Sequence, residues 1–496
     1  MNIQELLFLT PKSNYYDKKK DILEGNQQIH QSFFEENREL YTCLLYLDNM
    51  TYYSKALIIK NILKNSLYKE ENKINKEQIL LEDALIKYCL YNENITHALK
   101  MLLYLKENRV NNSRTTKIIL DFLFNRKNLD FICIKYKNKI KQLLIHCLGL
   151  KNINKILSQD KDSKKIYNKY FRVYDLEKYE IEQSTFCFEF IFFVFNIEHK
   201  YTNECFLEYF EVRNNVIENK PIKETFLPIE VVKGFYSFYK KYPIRNIDVI
   251  GKTNISDKQK IQMQNTIKKE NNGLLKLNIN YSKYDLLDLI KYLYNSVTLN
   301  ERSEINNILK EKYIQYSKDI ELNKEKTAII VDYSDSQSGS QESLNHNFFK
   351  TLILKNIIIE YFSNNNITFR EYIVGSKINE DGLLIPYGET CLYKPLIQGI
   401  KDGFSNFIII SDGYNNIGNF EEVYHALTKI RDIKITHFNP NFSAKNKEMK
   451  KLANNIQPIA FKDEYDLKNL RLYYMLNEDP QKFINIVKDN ILRGNI

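Results

Sequence analysis

Two short apolar runs in the sequence end in residues able to hold a hard cation. Ile329-Ile330-Val331 runs into Asp332-Tyr333-Ser334-Asp335-Ser336, and Ile408-Ile409-Ile410 runs into Ser411-Asp412-Gly413. One carboxylate and two hydroxyls at alternate positions of a tight loop converge on a point, and magnesium takes six oxygen ligands at about 2.0–2.1 Å. Gly388-Glu389-Thr390-Cys391-Leu392 adds a third hydroxyl just before a helical stretch. Asp332, Ser334, Ser336, Thr390 and Asp412 thus form a five-residue set for a divalent cation, magnesium first, with manganese or calcium as alternatives. The competing use of such residues is helix capping and the satisfaction of loop amides. That use would require three separate segments to coincide.

The same loops hold little that does acid–base work. A hydrolytic centre needs a positioned base and often a second ion, and the nearest histidine, His346, stands at a helix start. The sequence has no Gly-x-x-x-x-Gly-Lys-Ser/Thr loop for a nucleotide phosphate and no Gly-x-Ser-x-Gly elbow. The expectation is a binding protein that is not an enzyme.

The elements that must position these residues are legible as alternation. From Lys326 onward, β-branched runs at 327–331, 368–374, 407–410, 434–438 and 458–461 alternate with amphipathic segments at 345–363, 394–401, 420–431, 446–454 and 480–492. Such alternation predicts βα units and a doubly wound α/β domain over 326–496. Ligands of open α/β sheets sit at the carboxyl ends of strands, which brings both polar signatures to one crevice. Residues 1–325 instead repeat apolar positions every three or four, as in Leu99, Leu102 and Leu103. Helices are expected over 35–47, 54–67, 78–91, 95–107, 115–124 and 137–148, separated by turns rich in Asn, Lys and Asp. The fold class is therefore α plus α/β: a helical-repeat-like N-terminal domain without a clean sequence repeat, irregular near 243–278, followed by the α/β domain.

The Asp332-x-Ser334-x-Ser336 loop, Thr390 in its Gly-x-Thr-x-Leu context and Asp412 in Ser-Asp-Gly occur in an order that resembles the von Willebrand factor A domain and its metal-ion-dependent adhesion site. The resemblance covers about the last 170 residues. It implies that Ser334, Ser336 and Thr390 bind the ion directly or nearly so, and that Asp332 and Asp412 act directly or through water. An open coordination position would then accept an acidic side chain from a protein partner. Asp335 stands where the family usually has Gly.

Charge divides along the same boundary. Of 72 basic and 62 acidic residues, 20 of each lie from Lys326 onward, so the first 325 carry the whole excess of ten. Only 12 of the basic residues are Arg, and the Lys bias accompanies abundant Asn, Ile and Tyr, so composition alone does not argue for phosphate contact. Position argues more: Arg109, Arg114, Lys117, Arg126, Lys127, Lys135, Lys137, Lys139 and Lys141, then Lys151 and Lys155, face only Asp121 and Asp130. Asn111, Asn112, Ser113, Thr115 and Thr116 add neutral donors at a helix start. A solvated lysine face is the alternative. Phe122 and Phe131 fall at apolar helical positions and read as core, whereas Tyr136 is open to either role.

A basic helical part followed by an A domain is similar in plan to the Ro (TROVE-type) ribonucleoproteins, which implies binding of small noncoding RNA or single-stranded RNA ends. The alternative is a protein-interaction adaptor that captures an acidic partner residue through the metal, beside an AAA-type ATPase. Seven cysteines without paired spacing imply reduced thiols. The apolar run Phe186 to Ile197 is interrupted by Glu189 and is shorter than the roughly 20 residues a bilayer needs. The start of the chain lacks signal-peptide character. Together these features imply a cytoplasmic protein with no membrane partner.

Overall fold

A computed structural model describes residues 6–7, 19–48, 50–65, 76–126, 128–159, 161–171, 183–240, 244–255, 259–260, 263, 280–295, 299–339, 346–440, 450–461 and 463–492. Contacts divide the chain into two units, one of residues 1–26, 47–51 and 280–483 and the other of 27–46, 52–279 and 484–496. The N-terminal region is helical and the C-terminal region carries a five-stranded parallel sheet.

The sheet consists of β1 (Thr327–Asp332), β2 (Phe369–Val374), β5 (Asn406–Ile410), β6 (Lys434–Asn439) and β7 (Pro458–Ala460), in the order β2-β1-β5-β6-β7. A two-stranded hairpin of β3 (Lys377–Ile378) and β4 (Leu384–Ile385) follows β2. Every residue of β1 and β5 is buried, as expected of central parallel strands covered on both faces. Ala328, Ile330, Phe407 and Ile409 share a core with Leu392, Leu396, Phe420 and Tyr424. Their neighbours Ile329, Val331, Ile408 and Ile410 point the other way, because successive strand residues alternate faces. Burying each such side chain contributes roughly 1.5–3 kcal/mol. Gly399 lets its helix approach the sheet, since a Cβ there would fall 2.6 Å from the Phe407 ring.

The helices His346–Asn364 and Tyr393–Lys401 of this unit follow the sequence reading, as does Pro480–Leu492, most of which belongs to the helical unit. The helix expected over 420–431 stops at Thr428. The one expected over 446–454 is not present in its described part: residues 450–454 form bends and a turn, and 446–449 lie outside the described residues. Leu452, Ala453 and Ile456 are buried in the sheet core there, a spacing that a turn at Ala453, closed by the Ile456 N–H, satisfies. Helices Leu286–Asn295 and Leu299–Ser317 belong to the unit that holds the sheet, so the contact boundary falls near 280, whereas the change of sequence pattern falls near 325.

In the helical unit, Ile95–Glu107 matches its expected window, and Tyr52–Lys64, Lys76–Asn92 and Ser113–Phe124 lie close to theirs. The window at 35–47 resolves into Arg38–Cys43 and a 3₁₀ turn, Leu44–Tyr46. The window at 137–148 is part of Leu129–Leu157, interrupted at Gly149, whose φ of 74° lies in the left-handed region. The Asn-rich turns have a local cause: Asn37, Asn94, Asn112 and Asn203 each cap a helix by accepting the N–H of Leu40, Thr96, Thr115 and Phe206 respectively. Each such cap is worth about 1 kcal/mol. Glu189, inside the apolar helix Gln183–Val194, is buried and accepts from the Thr202 N–H and hydroxyl, both at 2.7 Å, and from the Asn203 N–H at 3.0 Å. Of the irregular region 243–278 only 244–255, 259–260 and 263 are described, and they include the short helix Asn246–Ile250. No helix among the described residues is long and apolar enough to cross a membrane.

Candidate metal centre and the basic stretch

The strand order reverses direction at β1: the chain leaves β1 to one side for β2 and returns to its other side for β5. Adjacent strand ends diverge at such a switch point and leave a crevice at their carboxyl ends. Asp332 closes β1, and Ser411 and Asp412 follow β5 directly. Both signatures therefore open into the same crevice.

The loop after β1 is pinned on two sides. The Tyr333 N–H donates to the Val374 carbonyl at 2.7 Å, and the Asp335 N–H donates to the Gly388 carbonyl at 3.0 Å. Gly375 permits this crossing, since its φ is +61° and a Cβ would stand 2.6 Å from the Tyr387 oxygen and 3.0 Å from the Ser334 Cα. The Asp332 carboxylate accepts the Ser334 N–H at 3.0 Å and the Ser411 hydroxyl at 2.8 Å. Thr390 donates its hydroxyl to Ser334 Oγ at 2.6 Å, and Ser334 Oγ lies 3.1 Å from Ser336 Oγ. Ser336 also hydrogen-bonds the Asp412 carboxylate, which accepts the Tyr414 N–H at 3.1 Å. The structure thus brings all five expected residues into one hydrogen-bonded cluster. Four are buried and Ser336 is exposed, so the cluster opens to solvent on the Ser336 side.

Burial pushes the Asp332 carboxyl up to about 6, with the neighbouring charge of Asp412 adding to it and the hydrogen bonds from Ser334 and Ser411 opposing it. Burial raises Asp412 as well. No basic side chain bears on either carboxylate among the described residues. Two buried carboxylates and three hydroxyls, all hard oxygen donors with uncompensated negative charge, fit a magnesium-like ion. Among the described residues no group of three or more His, Cys, Asp or Glu is placed to hold a metal ion, and the donors gathered here are two carboxylates and three hydroxyls, with no thiolate or imidazole among them.

Sequence reasoning did not assign Ser411, His437 and Asn439. His437 and Asn439, both fully buried on β6, bond the Ser411 carbonyl at 2.9 Å and the Asp412 carbonyl at 3.1 Å. The signal for them was present, since a histidine and an asparagine at the carboxyl end of a buried strand must satisfy their polar atoms somewhere. Gly413, at φ +83°, lets the loop pass Lys450, whose carbonyl a Cβ would meet at 2.5 Å.

The basic stretch is not gathered on one face. Arg109 and Lys117 are exposed. Arg114 is buried, with its guanidinium 2.9 Å from Glu82 and 2.7 Å from Asp83. Arg126 packs over the rings of Phe122 and Tyr91 and donates to the Leu90 carbonyl at 2.8 Å. Lys135 pairs with Glu230 at 3.3 Å. Lys137 turns into an aromatic cluster, 3.9 Å from the Phe193 centroid. Lys139 lies over Tyr136 and Lys141 over Phe195, while Lys127 lies outside the described residues. Phe122 is core, as expected, and the Tyr136 hydroxyl bonds that of Thr96 at 2.8 Å. None of the seven cysteines forms a disulfide.

No protein-family model matches this chain, and no curated protein matches it.

Proposed function

We propose that the chain is a non-catalytic cytoplasmic binding protein whose C-terminal unit is a doubly wound, von Willebrand factor A-like domain with a metal-ion-dependent adhesion site. Asp332, Ser334, Ser336, Thr390 and Asp412 would hold a divalent cation, magnesium first, with manganese or calcium as alternatives. The ion supplies positive charge and an open coordination position for an acidic side chain of a protein partner. The observation that carries this reading is the convergence of five oxygen-bearing side chains from three loops at the carboxyl ends of β1 and β5, with both carboxylates buried and unpaired by any basic group among the described residues. Titration calorimetry with magnesium and manganese tests it. The wild-type chain should bind one ion, and Ser334→Ala or Asp412→Ala should weaken binding at least tenfold. Unchanged binding in both variants refutes the assignment.

The helical unit supports a second activity, contact with RNA in the Ro-like manner. The supporting observation is what the basic stretch leaves exposed, Arg109 and Lys117, with Lys135 and Lys139 at a cavity rim. Single-stranded RNA should lose affinity by about a thousandfold between 50 and 200 mM salt if roughly six phosphates are neutralised. Reversing the charge of Arg109 and Lys117 should reduce affinity at least tenfold. Absence of RNA binding at 50 mM salt favours the adaptor reading instead, with the metal site serving a protein such as an AAA-type ATPase.

A further inference from the structure

The helical unit holds a cavity of about 540 Å³, within the range of about 300–1,000 Å³ typical of small-molecule sites. Lys135, Tyr136, Lys137 and Lys139 line one side, and Phe238 and Tyr239 line another. Two backbone irregularities meet there. Tyr136 has φ −115° and ψ 23° inside the helix Leu129–Leu157. In a regular helix consecutive side chains diverge by about 100°, and the distortion lets residues 135, 136 and 137 share a wall. Opposite them, Tyr236–Lys240 is a single π-helical turn, a form frequently found at functional sites. That turn carries Phe238, which is 75% exposed.

Among the described residues, the charges facing the cavity are three ammonium groups and one carboxylate, Glu230. Glu230 is already engaged, 3.3 Å from Lys135 and hydrogen-bonded by Gln259. Lys139 lies 5.4 Å from the Tyr136 centroid. Lys137 sits in the wall with its ammonium 3.9 Å from the Phe193 centroid and 4.8 Å from that of Tyr209, and among the described residues no acceptor meets its donors. Burial lowers its pKa to about 8, with Arg213 and Lys141 adding to the effect. An anion in the adjoining space would offset that buried positive charge, and an exposed ring at the rim offers a face to a base.

We propose that this cavity binds a nucleoside phosphate, with the phosphate between Lys135 and Lys139 and the base on Phe238. Lys137 contributes field from the wall. The nucleotide has two sources, a free nucleotide or a residue of single-stranded RNA, and only the second rests on the RNA reading above.

Calorimetry with UMP and fluorescence anisotropy with a ten-residue oligouridylate, both on the full chain at 50 mM salt, separate them. The wild-type chain should bind UMP more tightly than inorganic phosphate. Phe238→Ala, a change at an exposed side chain, should weaken UMP about tenfold or more by loss of stacking. Lys135→Ala with Lys139→Ala should weaken it comparably and flatten its salt dependence. UMP binding without oligouridylate binding supports the cavity and refutes the RNA reading. Oligouridylate binding that survives Phe238→Ala and the double lysine variant unchanged, but is lost on reversing Arg109 and Lys117, refutes the cavity and leaves RNA contact standing. Binding of neither probe, or of phosphate as tightly as UMP, overturns the proposal.

Discussion

Replacing Arg114 by Met separates structural from ligand-binding cations within the basic stretch. Arg114 reaches Glu82 at 2.9 Å and Asp83 at 2.7 Å, and the Glu82 side chain is entirely buried. Removing one partner of a buried ion pair costs about 3–5 kcal/mol when it strands the other charge. Glu82 is not stranded, because Arg38 still donates twice, at 2.6 and 3.2 Å, and Gln78 donates at 3.1 Å. Asp83 is about a third exposed and returns to water, a loss of less than about 1 kcal/mol. Met keeps most of the apolar stem, so the expected cost is about 2 kcal/mol, or roughly 30-fold in a local opening equilibrium. Hydrogen–deuterium exchange read on peptides covering Lys76–Asn92 and Ser113–Phe124 measures it directly. Lys117→Met, at an exposed position of the latter helix, is the control and should leave protection unchanged. If both variants exchange within about threefold of wild type, Arg114 is not a structural cation and the energetic reasoning fails.

Gly413→Ala should destabilise the chain by about 1–3 kcal/mol through its strained φ and the contact with the Lys450 carbonyl, read as a lowered thermal midpoint together with weaker magnesium binding. Glu464 is buried, its Oε1 accepting the Leu286 N–H and its Oε2 meeting no donor among the described residues, and burial raises its carboxyl from 4.5 to about 7. A raised folded-state pKa means that its contribution is fully present below about 4.5 and is lost as pH rises through about 7, an effect of up to about 3 kcal/mol. Glu464→Gln should therefore flatten urea stability between pH 4.5 and 7; an unchanged slope would show that this carboxyl does not titrate there.

The strands were readable because continuous β-branched runs between polar clusters have few alternatives, and β1, β2, β5, β6 and β7 fall within about a residue of their expected bounds. The five oxygen donors were readable for a different reason: each follows or precedes an element whose position the alternation already implied. The β3–β4 hairpin was not, since two residues per strand carry no period. Neither were the roles of Arg114 and Lys137. Their partners Glu82, Asp83, Phe193 and Tyr209 lie 31 to 72 positions away in the chain, and a lysine packed on rings has the same local pattern as one in water. A run of charge thus reported composition faithfully and exposure poorly. The break at 450–454 belongs with these, because tertiary packing of Leu452 and Ala453 overrode local helical preference.

The helical unit takes its last segment, 484–496, from beyond the sheet. Lys488 pairs there with Glu39, and Asn490 donates to the Tyr46 hydroxyl at 3.2 Å. Synthesis is vectorial, so at about 5–20 residues per second the ribosome needs roughly 10–40 s to pass from residue 279 to residue 484. During that interval the surface around Glu39 and Tyr46 waits uncovered for a segment not yet made. A premature stop anywhere in the sheet would therefore injure the helical unit as well, and a cut at 325 would yield two fragments, each lacking part of its own fold.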